Sequence, residues 1–191
     1  TFPARLVHVK EYGYTGGPWP LAYKGLGEAF VILFFGLVAV LGTILVQIGT
    51  APVVPGTLVD SLAVYNAGIV LGIQCGLLCA VMISVNNIRD RKEDQTTGKR
   101  TLAVRLGERK ARAMAQAFIV AAYITLPTSC RALHLDLSRL WWMWIPAILL
   151  GGYLMLLIRK TPADKSMNRL LALSSVHLIL YLATYTILPG L

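Results

Sequence analysis

Five long stretches without a single Asp, Glu, Lys or Arg occupy most of this 191-residue chain: Ala29–Val59, Ser61–Ile88, Ala113–Cys130, Leu140–Ile158 and Leu170–Leu191. A helix needs about 20 apolar residues to cross a bilayer, and all five runs meet or approach that length. Charged residues make up only 14% of the sequence, against about 25% in a soluble domain. Lipid offers no partner to a backbone N–H or C=O, so each segment must satisfy its own by forming a helix. The expected fold is therefore an all-α, polytopic membrane helix bundle, a single membrane domain over residues 1–191 with five spans. The spans are expected near Glu28–Ile48, Thr57–Val85, Ala113–Cys130, Leu140–Ile158 and from Leu170 onward.

Five spans place alternate connections on opposite sides of the membrane, so the positive charges can be assigned to sides. One side receives Arg5, Lys10 and Lys24, nine Lys and Arg between Asn86 and Arg112, and Arg159, Lys160, Lys165 and Arg169. The other side receives only Arg131 and Arg139 of the 18 basic residues. By the positive-inside rule the basic side is cytoplasmic, in a multi-pass protein of a bacterial inner membrane or an organelle. The net charge of +9 follows from this bias, and with no nucleic-acid motif it does not call for a nucleic-acid partner. Trp141, Trp142 and Trp144 open the fourth span as an expected interfacial belt. The polar, glycine-rich segment Thr1–Leu26, with Tyr12, Tyr14, Trp19 and Tyr23, suits an interfacial or substrate-lining loop. Its first 25 residues contain no apolar core of the kind a signal peptide has.

The charge that is not spread along span ends is concentrated in N-N-I-R-D-R-K-E-D-Q-T-T-G-K-R-T, Asn86–Thr101. Asn86, Asp90 and Asp94 recur every four residues and would form one polar stripe on a helix. Magnesium is a hard cation, usually held by one or two carboxylates together with substrate phosphates. Asp90 and Asp94 are accordingly the candidate catalytic and metal-holding pair, for Mg2+. Glu93 points off that face. Gly98 permits a turn that returns Lys99 and Arg100 toward the carboxylates, where they could contact diphosphate oxygens. Arg89 and Arg91 are further candidates that a helix would splay to different sides. Read without chemistry, the same stretch is a solvated basic loop that sets topology.

Other polar residues are less informative. Cys75, Cys79 and Cys130 have no metal-ligand spacing and read as packing residues. His177 lies at membrane depth, where an ionisable group is a functional candidate, but a hydrogen-bonded packing role is the simpler expectation. Asn66 and Gln74 either bond to neighbouring helices or line a cavity.

The run N-N-I-R-D-R-K-E-D-Q-T-T-G-K-R-T-L-A-V-R-L-G, Asn86–Gly107, resembles the second aspartate-rich motif of the UbiA superfamily of intramembrane prenyltransferases. Its wording is most similar to the dihydroxynaphthoate branch, and Tyr14–Glu28, Y-T-G-G-P-W-P-L-A-Y-K-G-L-G-E, resembles a second segment of the same branch. The resemblance implies nine spans around a cavity open to lipid, of which these five correspond to the last five. It implies Mg2+-dependent transfer of a polyprenyl group from prenyl diphosphate to 1,4-dihydroxy-2-naphthoate, with the lipid bilayer as surroundings, in menaquinone or phylloquinone synthesis. Carried over by position, Asp90 and Asp94 hold metal. Asn86 and Asn87 lead into the motif, Lys99 and Arg100 meet the diphosphate, and Tyr14 and Lys24 lie in the second matching segment.

The family's first aspartate motif has no counterpart in this sequence. With Thr1 at its start, the chain is expected to be a C-terminal fragment, inactive by itself and completed by N-terminal helices. Within the resemblance, another UbiA-type aromatic prenyltransferase is the alternative, and two other classes compete. The CDP-alcohol phosphatidyltransferases are disfavoured because their D-G-x-x-A-R signature is missing. A transporter subunit or membrane scaffold would use the basic loop for topology alone.

Overall fold

The computed structural model describes residues 24–50, 61–136, 138 and 141–187; Tyr14, Asp60 and the tyrosines and Trp19 of the glycine-rich segment lie outside the described residues. Among those described there are helices and turns and no strand. Five helical segments are long and apolar enough to cross a membrane: Gly27–Ile48, Ala63–Arg89, Glu108–Ala132, Trp141–Lys160 and Lys165–Thr186. These are the five expected spans, with shifted ends.

The first helix, α1, runs through Gly27–Val31, a π-helical stretch Ile32–Val38, and Ala39–Thr50. The second, α2 (Ser61–Arg89), is the longest and sits at the centre of the bundle. Two short helices follow, α3 (Arg91–Thr96) and α4 (Leu102–Leu106). The third span comprises α5 (Glu108–Ile124) and α6 (Leu126–Ala132), with a break at Thr125 ahead of Pro127. Proline removes a backbone donor and is tolerated in the first turn of a helix, which is where Pro127 falls. The fourth span is a 3-10 turn, Trp141–Trp144, leading into α7 (Ile145–Lys160), and the fifth is α8 (Asn168–Ile187).

The charged stretch Asn86–Arg112 is mostly helical. α2 does not stop at Val85; Asn86, Asn87, Ile88 and Arg89 form its last turn. Ile88 is fully buried, and Arg89 ties its own turn together through Asn86 and Asp90. At the other end, Glu108–Arg112 belongs to the third span, because Glu108 and Arg112 pair across one turn at 2.7 Å. That pairing lets charged residues extend a helix whose apolar part begins at Ala113.

Packing of α1 against α2 depends on glycine. Gly68, Gly72 and Gly76 repeat every four residues on α2, a spacing that places small residues on one face and lets backbones approach closely. A Cβ added to Gly36 would stand 2.4 Å from the Gly72 carbonyl oxygen and 2.9 Å from Gly76 Cα. On its other face α2 packs with α5, α7 and α8 around two apolar clusters. One, nearer the charged end, includes Val85, Ile88, Ala115, Leu154, Ile158 and Leu170. The other includes Leu78, Leu126, Trp144, Tyr181 and Tyr185.

Trp144 is fully buried against Tyr185, with ring centroids 5.4 Å apart in an edge-on arrangement. It is therefore a core residue and not part of the expected interfacial belt. Trp141 and Trp142 are exposed, as that belt requires. The 3-10 turn rotates Trp144 inward, a change of face that spacing alone does not reveal.

Among the polar residues within the spans, Gln74 and His177 serve packing. Gln74 donates to Thr125 and Ser129 and accepts from the Tyr185 hydroxyl at 3.0 Å, joining three spans. Asn66 is exposed. His177 is buried and shares a 2.8 Å hydrogen bond with the Tyr123 hydroxyl. Cys79 and Cys130 are buried free thiols, and Cys75 is half-buried.

Candidate functional site

The end of α2 organises the site. Backbone hydrogen bonds from Asp90 to Asn86 and from Asp94 to Asp90 carry helical geometry across the α2–α3 junction. Asn86, Asp90 and Asp94 consequently share a face, and all three line one cavity of about 180 Å³. Gly98 then takes a left-handed φ of 78°, and the Lys99 N–H bonds back to the Asp94 carbonyl at 2.9 Å. That reversal sets the Lys99 ammonium 3.4 Å from a carboxylate oxygen of buried Asp94.

Each aspartate in the cavity has its own cation. Arg89 forms a fork on Asp90, with Nε to Oδ1 at 2.6 Å and Nη2 to Oδ2 at 2.7 Å. The same guanidinium donates to Asn86 Oδ1 and, from Nη1, to Asn168 Oδ1, both at 2.6 Å. Arg89 thus fixes the carboxylate's orientation and binds the end of α2 to the start of α8. Arg91 leaves in another direction and pairs with Glu108 at 3.6 Å. Glu93 is exposed.

The chain before α1 closes the cavity. Gly25 has φ of +67° and packs so tightly on the Arg100 carbonyl that a Cβ there would approach within 2.9 Å. Arg105 donates to the Lys24 carbonyl at 2.9 Å. The glycine-rich segment's end and the charged stretch therefore meet at one end of the bundle, together with the α7–α8 connection through Asn168. Lys24 itself does not line the cavity, although Gly25 and Gly27 do. The Arg100 side chain is exposed and lies outside the cavity lining.

Glu28 is a cavity residue that spacing did not single out. It is 2% exposed, and its Oε1 accepts from the Asn87 amide at 3.0 Å. Its Oε2 is buried with no partner among the described residues. A buried carboxylate oxygen without a donor is costly, so a ligand donor at this position would be favourable. The usable signal was its place at the end of Y-T-G-G-P-W-P-L-A-Y-K-G-L-G-E, at the first turn of a membrane span.

Ile83 and Asn86 line a second space as well. It is an apolar groove of about 450 Å³ between α1, α2 and α8, walled by Val31, Phe35, Met82 and Leu171. The two spaces are neighbours that share Ile83 and Asn86 in their walls, one headed by carboxylates and a lysine and the other an oily trough. Among the described residues no three His, Cys, Asp or Glu side chains come together to form a metal cage. The donors that are present, two aspartate carboxylates beside an amide, are hard oxygen ligands. They suit a magnesium ion that takes the rest of its coordination from waters and substrate phosphates.

The fold and site define a polytopic α-helical membrane protein with an amphipathic, carboxylate-headed binding site. Residues 9–178 match the UbiA prenyltransferase family, and the chain belongs to that family. It is similar to the 1,4-dihydroxy-2-naphthoate octaprenyltransferase of Mycobacterium leprae (strain TN), with 43% identity over 108 residues, 56% of this chain and 32% of that protein. The protein of the same description from Escherichia coli (strain K12) is 34% identical over 137 residues, 70% of this chain and 39% of that protein. The one from Haemophilus influenzae is 40% identical over 107 residues, 56% of this chain and 30% of that protein. The chain thus spans between 30% and 39% of the length of these relatives. No solved structure gives a significant match.

Proposed function

We propose that the chain binds a prenyl diphosphate and takes part in moving its polyprenyl group onto 1,4-dihydroxy-2-naphthoate, as a step toward menaquinone or phylloquinone. Mg2+ is the cofactor in this reading, and the aspartate end of the bundle faces the cytoplasm. The five spans correspond to the last five of the family's nine. The observation that carries the proposal is the junction at Ile83 and Asn86, which belong to both the polar cavity and the apolar groove. A ligand filling both needs a long apolar tail and a compact polar head, which can be anionic where a cation bridges it to the carboxylates.

Asp90 and Asp94 are the residues that would hold the metal. When bound, magnesium supplies neutralisation of the charge that grows on the departing diphosphate. Lys99, already at Asp94, is placed to turn to a diphosphate oxygen once that carboxylate is engaged. Arg89 keeps Asp90 in one orientation and positions it without itself needing to touch substrate. The walls of the groove exclude water from the reacting carbon. Asn87 fixes Glu28 so that its free oxygen accepts a hydrogen bond from a hydroxyl of the aromatic acceptor. Lys24 and Arg100 are proposed to contribute at the cavity's rim, and Tyr14 to take part in substrate binding.

The test is binding of farnesyl diphosphate to the purified chain in detergent, with and without Mg2+, followed by calorimetry. Binding is expected to require the metal, and Asp90→Asn and Asp94→Asn are each expected to weaken it by more than about tenfold, the equivalent of one lost charge-assisted contact. Equal affinity in wild type and both variants would sink the reading.

A further inference from the structure

A second cleft lies between the third and fourth spans. It has a volume of about 490 Å³ and is lined by Glu108, Arg109, Arg112, Ala113 and Gln116 of α5 and by Arg159 of α7. It shares no lining residue with the aspartate cavity or the adjoining groove.

The cleft is built and held open by bonds that leave part of its charge unused. Arg112 takes Glu108 Oε1 through two nitrogens and also donates to the Ile158 carbonyl, at the end of α7. Arg91 takes Glu108 Oε2. Gln116 donates to the Met155 carbonyl at 3.0 Å, one turn deeper. The carboxylate is thus occupied from both sides, and the two helices are tied at two levels. Arg109 and Arg159 are exposed and have no ion-pair or hydrogen-bond partner among the described residues.

The position of the cleft fixes its surroundings. Glu108 begins the third span, and Lys160 ends the fourth, so these arginines stand where the lipid headgroups lie. Immediately deeper, the same two helices enclose an apolar groove of about 360 Å³ lined by Ile119, Val120, Tyr123, Ile148, Gly152 and Met155. From Arg159 down to Ile148 is about 16 Å along a helix, close to one leaflet of a roughly 30 Å hydrocarbon core.

We infer that this cleft and groove form a binding site for an anionic phospholipid, separate from the proposed catalytic site. Arg109, Arg112 and Arg159 receive the phosphate headgroup, and an acyl chain lies in the groove over Gly152. Basic pockets between spans are suited to anionic headgroups, and the groove accounts for a lipid in preference to a free anion. The charge bias that sets topology explains the arginines but neither the cleft nor its apolar continuation.

The test is native mass spectrometry of the purified chain in detergent, with phosphatidylglycerol or phosphatidylcholine added at equal concentration. Wild type is expected to retain phosphatidylglycerol preferentially. The double variant Arg109→Gln/Arg159→Gln should lower that preference by roughly tenfold or more, while Arg109→Lys/Arg159→Lys should keep most of it at equal helicity by circular dichroism. Gly152→Leu is the second arm. A Cβ at Gly152 meets nothing within 4 Å, so the side chain fills the groove without disturbing the packing. It should weaken retention of both lipids severalfold and leave the preference between them intact. Equal retention of the two lipids by wild type overturns the inference. So does an unchanged preference in the glutamine pair, or an equal loss in the lysine pair. If millimolar inorganic phosphate displaces phosphatidylglycerol and Gly152→Leu has no effect, the cleft is a simple anion site and the phospholipid reading fails.

Discussion

Gly36→Ala should loosen the helix pair that carries the site. The methyl group would sit 2.4 Å from the Gly72 carbonyl oxygen and 2.9 Å from Gly76 Cα. Ordinary contact begins near 3.4 Å, so α1 and α2 must separate by about 1 Å. Both obstacles are backbone, so no rotamer change relieves them, and overpacking of this kind costs about 1–3 kcal/mol. Gly42→Ala is the control, because a Cβ there meets nothing within 4 Å. Both substitutions share the gain in helix propensity from replacing glycine, so their difference isolates the steric cost. Gly68→Ala should fall between them, since its obstacle is the end of the flexible Ile44 side chain at 2.3 Å. Unfolding in detergent, by SDS titration or by heat, measures all three. Because α1 contributes Glu28 to the cavity and Phe35 to the groove, Gly36→Ala should also weaken farnesyl diphosphate binding. If Gly36→Ala is as stable as Gly42→Ala, the close approach of α1 and α2 is wrong, and the shape of the groove with it.

Three other outcomes follow from individual side chains. Glu28→Gln can still accept from Asn87 but offers an N–H in place of the free oxygen; titration calorimetry of the purified chain should show the Kd for the aromatic acceptor rising about tenfold, the equivalent of one charge-assisted hydrogen bond, with little change for the prenyl diphosphate, and an effect confined to the diphosphate would contradict the assigned contact. Gln74→Leu removes three interhelical hydrogen bonds at roughly 0.6 kcal/mol each in a membrane protein, so SDS titration should register a loss of about 2 kcal/mol; no loss would mean that Thr125, Ser129 and Tyr185 satisfy one another. In the α7–α8 connection, bonds from the Ser166 hydroxyl and backbone N–H hold the Asp164 carboxyl below the usual carboxylate range; its contribution to that turn is present above the unfolded pKa and lost as pH falls through the lowered one, so the protection of the Ser166 amide, its exchange rate relative to the intrinsic rate at the same pH, should fall on acidification in wild type and stay constant in Asp164→Asn.

The family, the helical class and the number of spans could be read from the chain because each rests on a one-dimensional signal. Apolar length fixes what can cross a bilayer, and a four-residue repeat fixes which polar groups share a helix face. Asn86, Asp90 and Asp94 accordingly line one cavity, and Gly98 makes the turn that returns Lys99. The misread positions are those where local geometry departs from a regular helix or where a polar bond extends one. The 3-10 turn carries Trp144 into the core, and the Glu108–Arg112 pair draws charged residues into a span. The repeat of Gly68, Gly72 and Gly76 is legible in the sequence, but glycine every four residues shows its meaning only when a partner helix is known.

What the sequence determined by itself was a five-span helical membrane protein of the UbiA family with an aspartate stripe at one end. Only the tertiary structure decided the partners. It gave Asp90 to Arg89 and Asp94 to Lys99, brought Glu28 to Asn87 across 59 residues, and left Arg100 exposed. It also set the polar cavity beside an apolar groove, with Ile83 and Asn86 in the walls of both. The physical reason is that periodicity assigns a residue to a face of its own helix, whereas a binding site is made where faces of different helices meet. That meeting is set by how closely the helices pack, here by glycines on α1 and α2.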